Sequence, residues 1–268
     1  MHKKNVESSK SLGKREAALL SKLAAERLTI FSPIEVCRFL GCKRNAAYRI
    51  VHSLKRKGWV KGITGGKYQL LTLAGLPTED LLVLACSLVW PSYVSLWTAL
   101  NYYKLTEQVP RAIFLITTSR KREKKLGDVR VQFVQLSRDR FFGYARIDNI
   151  CMAEREKAIV DSLSFPRYVS LSEVCKALDA AREEVSFEKL IEYSIKMKNA
   201  SLLKRLGFLI ELLDIKLAPK LFKSLQRRIG KGYSLLDPTR PRFGNYNKRW
   251  LLNVNVGREE LIYWRRVG

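Results

Sequence analysis

Histidine is nearly absent: the 268 residues include only His2 and His52. A catalytic triad or acid–base pair built on imidazole therefore has almost nothing to draw on. The five cysteines (Cys37, Cys42, Cys86, Cys151 and Cys175) are odd in number and form no C-x-x-C pair, which argues against a disulfide framework and a thiolate zinc site. They are expected as core thiols. No G-x-G-x-x-G dinucleotide turn is present, and Gly62 to Lys67 matches a phosphate loop only superficially, because a hairpin pattern and not a helix follows Lys67. Long apolar runs are missing too: the longest, Leu81 to Pro91, is about half of what a bilayer crossing needs. Residues 1–16 are polar and basic, without a signal peptide's apolar region, and no lipidation signal or basic amphipathic helix points to a membrane surface. These absences predict a cytoplasmic protein that is not an enzyme, with no catalytic residues, no metal, no cofactor and no membrane partner.

Acidic residues are the other shortage. Only 25 Asp and Glu stand against 50 Lys and Arg, a formal net charge of +25 with a pI near 10.1. A polyanionic partner is the usual complement of such a balance. The excess sits at the ends: residues 1–75 hold 16 Lys/Arg against 4 Asp/Glu and residues 221–268 hold 11 against 3, whereas residues 76–220 hold 23 against 18. With 47% hydrophobic residues the chain can also bury real cores.

The most informative stretch runs from Ser32 to Leu71. Ser32, Pro33 and Glu35 open a helix with a capping box, expected to end at Leu40 before a turn at Gly41. Ala47, Ile50, Val51 and Leu54 then recur at i, i+3, i+4 and i+7, the buried stripe of a second helix starting between Cys42 and Asn45. Its opposite face carries Asn45, Tyr48, Arg49, His52 and Arg56, with Lys43, Arg44 and Lys55 beside it. In a major groove Arg and Lys can pair with guanine edges or phosphates, Asn with adenine, and Tyr with a phosphate oxygen. Gly58 ends the helix, and Trp59-Val60 and Tyr68 to Leu71 read as a hairpin around Thr64-Gly65-Gly66, flanked by Lys61 and Lys67. A support helix from Lys14 to Arg27 and a lead-in strand from Leu28 to Phe31 complete a winged helix-turn-helix over residues 1–75. It is expected to bind double-stranded DNA, with a basic arm over residues 1–12 adding phosphate contacts.

Past a boundary at Ala74 to Glu79, residues 76–165 read as a mixed α/β domain, which makes the fold class α+β. A buried run from Leu81 to Trp90 comes first and a helix from Ser95 to Tyr103 next. Ala112 to Thr117 forms a central strand, Ser119 to Lys125 a charged loop, and Val129 to Leu136 an alternating strand. Phe141 to Met152 supplies one or two more strands before a helix from Ala153 to Leu163. Residues 166–268 read as a helical region with closing strands. Its helices run from Ser170 to Arg182, Phe187 to Met197, Leu202 to Leu213 and Pro219 to Ile229, and its strands from Trp250 to Val256 and Leu261 to Trp264.

The order of PSYVSLWTALNYYKLTEQVP (Pro91 to Pro110), AIFLIT, AEREKAIVDSL, RLGFLIELL (Arg205 to Leu213) and LDPTRPRFGNYNKRWLLNVNV behind a winged domain resembles the AbiEi-type antitoxins. The likeness covers roughly residues 15–256, and the long basic C-terminal region departs from it. The resemblance implies the antitoxin of a type IV toxin–antitoxin system of viral defence (abortive infection), whose winged domain represses its own promoter. It further implies that residues behind that domain counteract a nucleotidyltransferase-like toxin, with or without a stable complex.

A metal-dependent nuclease targeted by the winged domain is the competing class. Glu123-Lys124-Lys125 matches half of a nuclease motif, and Asp148, Glu154, Glu156 and Lys157 cluster in sequence, but both are expected to be solvated charged faces. Two further cationic groups are candidate toxin- or nucleic-acid-facing surfaces. One is Arg120, Lys121, Arg122, Lys124 and Lys125; the other is Arg240, Arg242, Lys248 and Arg249, interleaved with Tyr233, Phe243, Tyr246 and Trp250.

Overall fold

Leu19, Leu20 and Leu23 recur at helical spacing and are buried, which fixes α1 (Lys14–Ala25) in the computed structural model of the protein. The structure describes residues 12–26, 28, 30–62, 64–71, 78–126, 129–147 and 150–267. The expected basic arm falls almost entirely outside the described residues, as do Asp148 and most of the expected boundary at Ala74 to Glu79. β1 (Ile30–Phe31) leads to α2 (Pro33–Leu40), whose first turn closes as its sequence predicts: the Ser32 backbone N–H donates to Glu35 Oε2 at 2.7 Å. Gly41 takes φ +57°, where a side chain would crowd the backbone, and the Cys42 N–H closes on the Cys37 carbonyl at 3.3 Å. α3 (Arg44–Arg56) starts inside the predicted window, with Lys43 as its N-cap. β2 (Val60–Gly62) and β3 (Tyr68–Leu70) pair antiparallel, and β1 joins the far edge of β3, in the order β1-β3-β2.

α4 (Thr78–Ser87) packs against α1 and also against the central sheet, so it joins the N-terminal elements to the rest. The run from Leu81 to Trp90 is thus helical as far as Ser87, and β4 (Ser92–Val94), a strand absent from the sequence expectations, follows Pro91. After α5 (Leu96–Tyr102) come β5 (Ala112–Thr117), β6 (Lys124–Leu126), β7 (Val129–Gln135), β8 (Tyr144–Ile147) and β9 (Ile150–Ala153). They form one mixed sheet in the order β6-β7-β5-β4-β9-β8, with β5/β7 and β4/β9 parallel and the other pairs antiparallel. β5 lies inside the sheet, as its continuous apolar run predicts. The expected charged loop is shorter than predicted. Its last residues enter β6, where the ladder to β7 and the burial of Leu126 outweigh the coil preference of two lysines.

α6 (Arg155–Ser164) corrects the sequence reading most sharply. Glu156 and Lys157 were expected on a solvated face, yet every residue from Glu156 to Leu163 is buried, and Lys157 and Asp161 are 0% exposed. The reason is position: α6 is covered by α5, by β9 and by the next helices, α7 (Leu171–Ala180), α8 (Phe187–Lys196) and α9 (Ala200–Leu212). α10 (Pro219–Arg227) ends the helical run where expected.

A second, small sheet follows, built from β10 (Ser234–Leu235), β11 (Asn245–Asn247) and β12 (Leu252–Val254) in the order β10-β12-β11, and β10 packs on α9. The strand expected from Trp250 to Val256 shrinks to β12. Leu251 at φ +49° and the bond from the Trp250 N–H to Asn247 Oδ1 at 2.9 Å turn the chain just before it. The strand expected from Leu261 to Trp264 is instead two helical turns, α11 (Arg258–Leu261) and α12 (Trp264–Val267). Glu259 and Glu260 favour a helix start after Gly257, and Leu261 and Ile262 both turn inward, which an alternating strand cannot do.

The whole is a mixed α and β fold with several sheets, and its buried apolar residues form one continuous cluster from Leu12 to Leu261. Cys175 is buried and the other four cysteines are half-buried; all are free thiols, and burial pushes Cys86 up to about 12. Among the described residues no helix is long and apolar enough to cross a membrane.

Candidate nucleic-acid interface

Ala47, Ile50, Val51 and Leu54 anchor α3 against α1, α2 and β2, so the rotation of the helix is set by its buried stripe. The opposite side is left to solvent. Lys43, Arg44, Asn45, Tyr48, Arg49, His52, Lys55 and Arg56 are all exposed, as are Lys61 on β2 and Lys67 at the hairpin turn. None of these ten residues makes an ion pair among the described residues, and the eight from Lys43 to Arg56 stand exposed along α3 and its N-cap. Tyr48, Arg49, His52, Ser53 and Arg56 line a shallow depression of about 400 Å³, and the Arg44 guanidinium lies 5.9 Å from the Tyr48 ring centre.

The neighbouring Lys57 behaves differently and shows how the surface is braced. Its ammonium reaches Glu16 Oε2 at 2.6 Å, tying the end of α3 to the first turn of α1. Burial alone would raise the Glu16 carboxyl, but bonds from Lys57, Ser53 and Gly13 hold it below its ordinary value. The hairpin is set by Lys61 opposite Gln69 and Gly62 opposite Tyr68, with Gly65 at φ +75° and Gly66 at φ +68° in the turn. Such angles suit glycine, which lets the backbone turn tightly beside two lysines.

The second predicted group also lies open. Arg120, Lys121, Arg122, Lys124 and Lys125 are exposed without an ion pair among the described residues, and β6 is an edge strand. Arg130, overlooked in the sequence, stands directly opposite Lys125 in the β6/β7 ladder and is exposed. Like charges across a ladder repel, so an anion there relieves the sheet. Glu123 and Lys125 are exposed on or beside this edge, and among the described residues no group of three or more His, Cys, Asp or Glu side chains gathers.

The third group is divided. Arg240 pairs with Asp237 and Glu260, and Arg249 pairs with Glu211, so two of the four predicted cations are neutralised within the fold. Arg242 and Lys248 remain exposed and unpaired among the described residues. The aromatics divide as well: Trp250 is core, while Tyr233, Phe243 and Tyr246 are exposed.

Sequence reasoning missed a buried polar cluster outside these surfaces. The three donors of Lys157 Nζ go to Asp161, to Tyr93 Oη at 3.0 Å and to Met197 Sδ at 3.6 Å. Asp161 also accepts from Tyr93 Oη at 3.1 Å and Ser95 Oγ at 2.8 Å. Burial, reinforced by the Asp161 charge, pushes the Tyr93 phenol well above its ordinary value, so it stays protonated and donates. The i, i+4 spacing of Lys157 and Asp161 was the only local signal.

No family model matches the chain, and no curated protein matches it. The crystal structure of the Rv2827c protein from Mycobacterium tuberculosis is similar over 97% of each chain, with a TM-score of 0.57 at 15% sequence identity. At that identity the likeness concerns the fold.

Proposed function

We propose that this chain is a DNA-binding autorepressor and the antitoxin of a type IV toxin–antitoxin system. In this reading residues 1–75 form a winged helix-turn-helix, with α3 in the major groove of the operon's own promoter and the β2–β3 hairpin along the phosphate backbone. The observation that carries it is the outer face of α3, where eight polar or basic side chains stand exposed, without an ion pair among the described residues, over a buried apolar stripe. Residues 76–165 and 166–268 then serve the antitoxin role against a nucleotidyltransferase-like toxin. That part of the reading rests on the resemblance of Pro91 to Pro110 and the tracts behind it.

Asn45→Ala or Arg49→Ala is expected to cost about 1–3 kcal/mol on the promoter and to relax specificity at one base position, while Lys67→Ala weakens all sequences alike and lowers the salt slope by about one unit. Fluorescence anisotropy on promoter and scrambled duplexes reads both effects. Equal affinity of the wild-type protein for the two duplexes rules out specific recognition. The antitoxin role is tested in the full chain by co-expression with the toxin: the Asn45→Ala, Arg49→Ala double variant is expected to protect cells as the wild type does while losing repression. Loss of protection by that variant, with an unchanged melting temperature, means the two roles are not separate.

A further inference from the structure

We propose that the small sheet β10-β12-β11 is a platform on which unpaired bases of a single-stranded nucleic acid stack, a site distinct from α3 and independent of its reading. The register places Tyr246 opposite Asn253, and Asn253 beside Leu235, so these three share one face. Tyr233, two residues before Leu235, falls on the same face. The Tyr233 and Tyr246 rings meet edge to face with centroids 4.9 Å apart, and they are 43% and 51% exposed. Phe243, on the turn into β11, is 52% exposed. Asn253 on the same face is itself buried, and its Oδ1 has no hydrogen-bond partner among the described residues, leaving an acceptor that an exocyclic amino group of a base can satisfy.

The charges around the rings sort in the same direction. Arg240 and Arg249 are paired with carboxylates, whereas Lys231, Arg242 and Lys248, each within two residues of an exposed ring, are exposed and unpaired among the described residues. Free cations beside open aromatic faces match a chain of phosphates carrying flat bases. A duplex hides its base faces in its own stack, so it answers the cations but not the rings. An acidic peptide has the same shortcoming.

The test uses the full-length protein and fluorescein-labelled oligo-dT and oligo-U of about 12 nucleotides, a length within the reach of one such site. Anisotropy is expected to show binding by the wild type that falls about 5- to 150-fold in Tyr233→Leu, Tyr246→Leu, and is retained in Tyr233→Phe, Tyr246→Phe, because stacking needs the ring and not the hydroxyl. Arg242→Gln with Lys248→Gln is expected to lower the salt slope for oligo-dT by about 1.4 units. Promoter-duplex affinity should stay at the wild-type value in all three variants. A preference for oligo-U or oligo-dT supports the proposal and identifies the backbone as RNA or DNA. The proposal is overturned if the wild type binds neither oligonucleotide, if the Leu pair binds as the wild type does, or if Asn45→Ala, Arg49→Ala abolishes single-strand binding while the Leu pair does not. Displacement of the oligonucleotide by polyglutamate with no effect of the Leu pair also overturns it and assigns the surface to an acidic peptide. Should the Leu pair melt below the wild type, the Phe pair and the charge variant still decide the matter.

Discussion

Asp161→Ala destabilises the protein by about 3–5 kcal/mol, the expected cost of leaving one member of a buried ion pair without its partner. Lys157 is fully buried, and its ammonium has only Asp161 as a counter-charge within the contacts described above. Removing the carboxylate also strips Tyr93 and Ser95 of the acceptor for their hydroxyls. Against a typical total stability of about 5–15 kcal/mol, that loss is a large share. Replacing both residues together, with Lys157→Met and Asp161→Leu, costs much less, because no charge remains to be desolvated and the volume is roughly kept. Asp161→Asn falls between the two, since an acceptor oxygen survives and the charge does not. Urea unfolding of the wild type, Lys157→Met, Asp161→Leu and the pair closes a double-mutant cycle, and a coupling energy below about 0.5 kcal/mol would show that the pair is not the buried unit described. The effect should also persist at high salt, which screens exposed pairs far more than buried ones.

The same cluster shows where reading the sequence stops. A Lys and an Asp four residues apart on a helix are the usual signature of a solvated pair, and nothing local distinguishes α6 from such a helix. Its burial is decided by distant segments: Tyr93 reaches Asp161 across 68 residues and Ser95 across 66. The three-residue strand β4 was invisible for the same reason, since its place between β5 and β9 rests on pairings such as Val94 with Met152. Arg249 looked available because its carboxylate, Glu211, lies 38 residues away; Arg240 has Asp237 three residues before it, but its second partner, Glu260, lies 20 residues on.

The N-terminal elements were legible because their determinants are local. Ser32 with Glu35, the left-handed Gly41 and the stripe Ala47, Ile50, Val51 and Leu54 each act within a few residues, and together they set which face of α3 is outward. Exposure of the candidate side chains on α3 follows from that stripe. β5 was legible from its apolar run, and β7 from its alternation. At Leu261 to Trp264 composition misled, because aromatic and branched residues favour strands while the carboxylates after Gly257 favour a helical turn.

Gly207→Ala is the other substitution with a large expected effect, and its sign opposes the local rule. In a helix interior, exchanging Gly for Ala ordinarily stabilises by about 1 kcal/mol. In α9, however, a Cβ at position 207 would stand 2.0 Å from Cζ3 and 2.3 Å from Cη2 of Trp250. That ring cannot easily retreat. It is fully buried, its Nε1–H donates to Glu211 Oε2 at 2.5 Å, and Phe222 of α10 packs edge to face on it at 5.6 Å. Overpacking of this kind costs about 1–3 kcal/mol and occasionally more, so with a contact this short the clash exceeds the helix gain and the net loss is about 2 kcal/mol. Trp250→Ala alone removes the ring and costs about 3–5 kcal/mol. Because Trp250 lies between β11 and β12, that variant also releases the small sheet from α9 and should lose single-strand binding with its stability. The two changes together are expected to cost less than their sum by at least about 1 kcal/mol, since the new methyl group occupies space the indole has vacated. Urea midpoints at unchanged slope measure this. A Gly207→Ala variant more stable than the wild type would mean that Trp250 does not pack where the structure puts it.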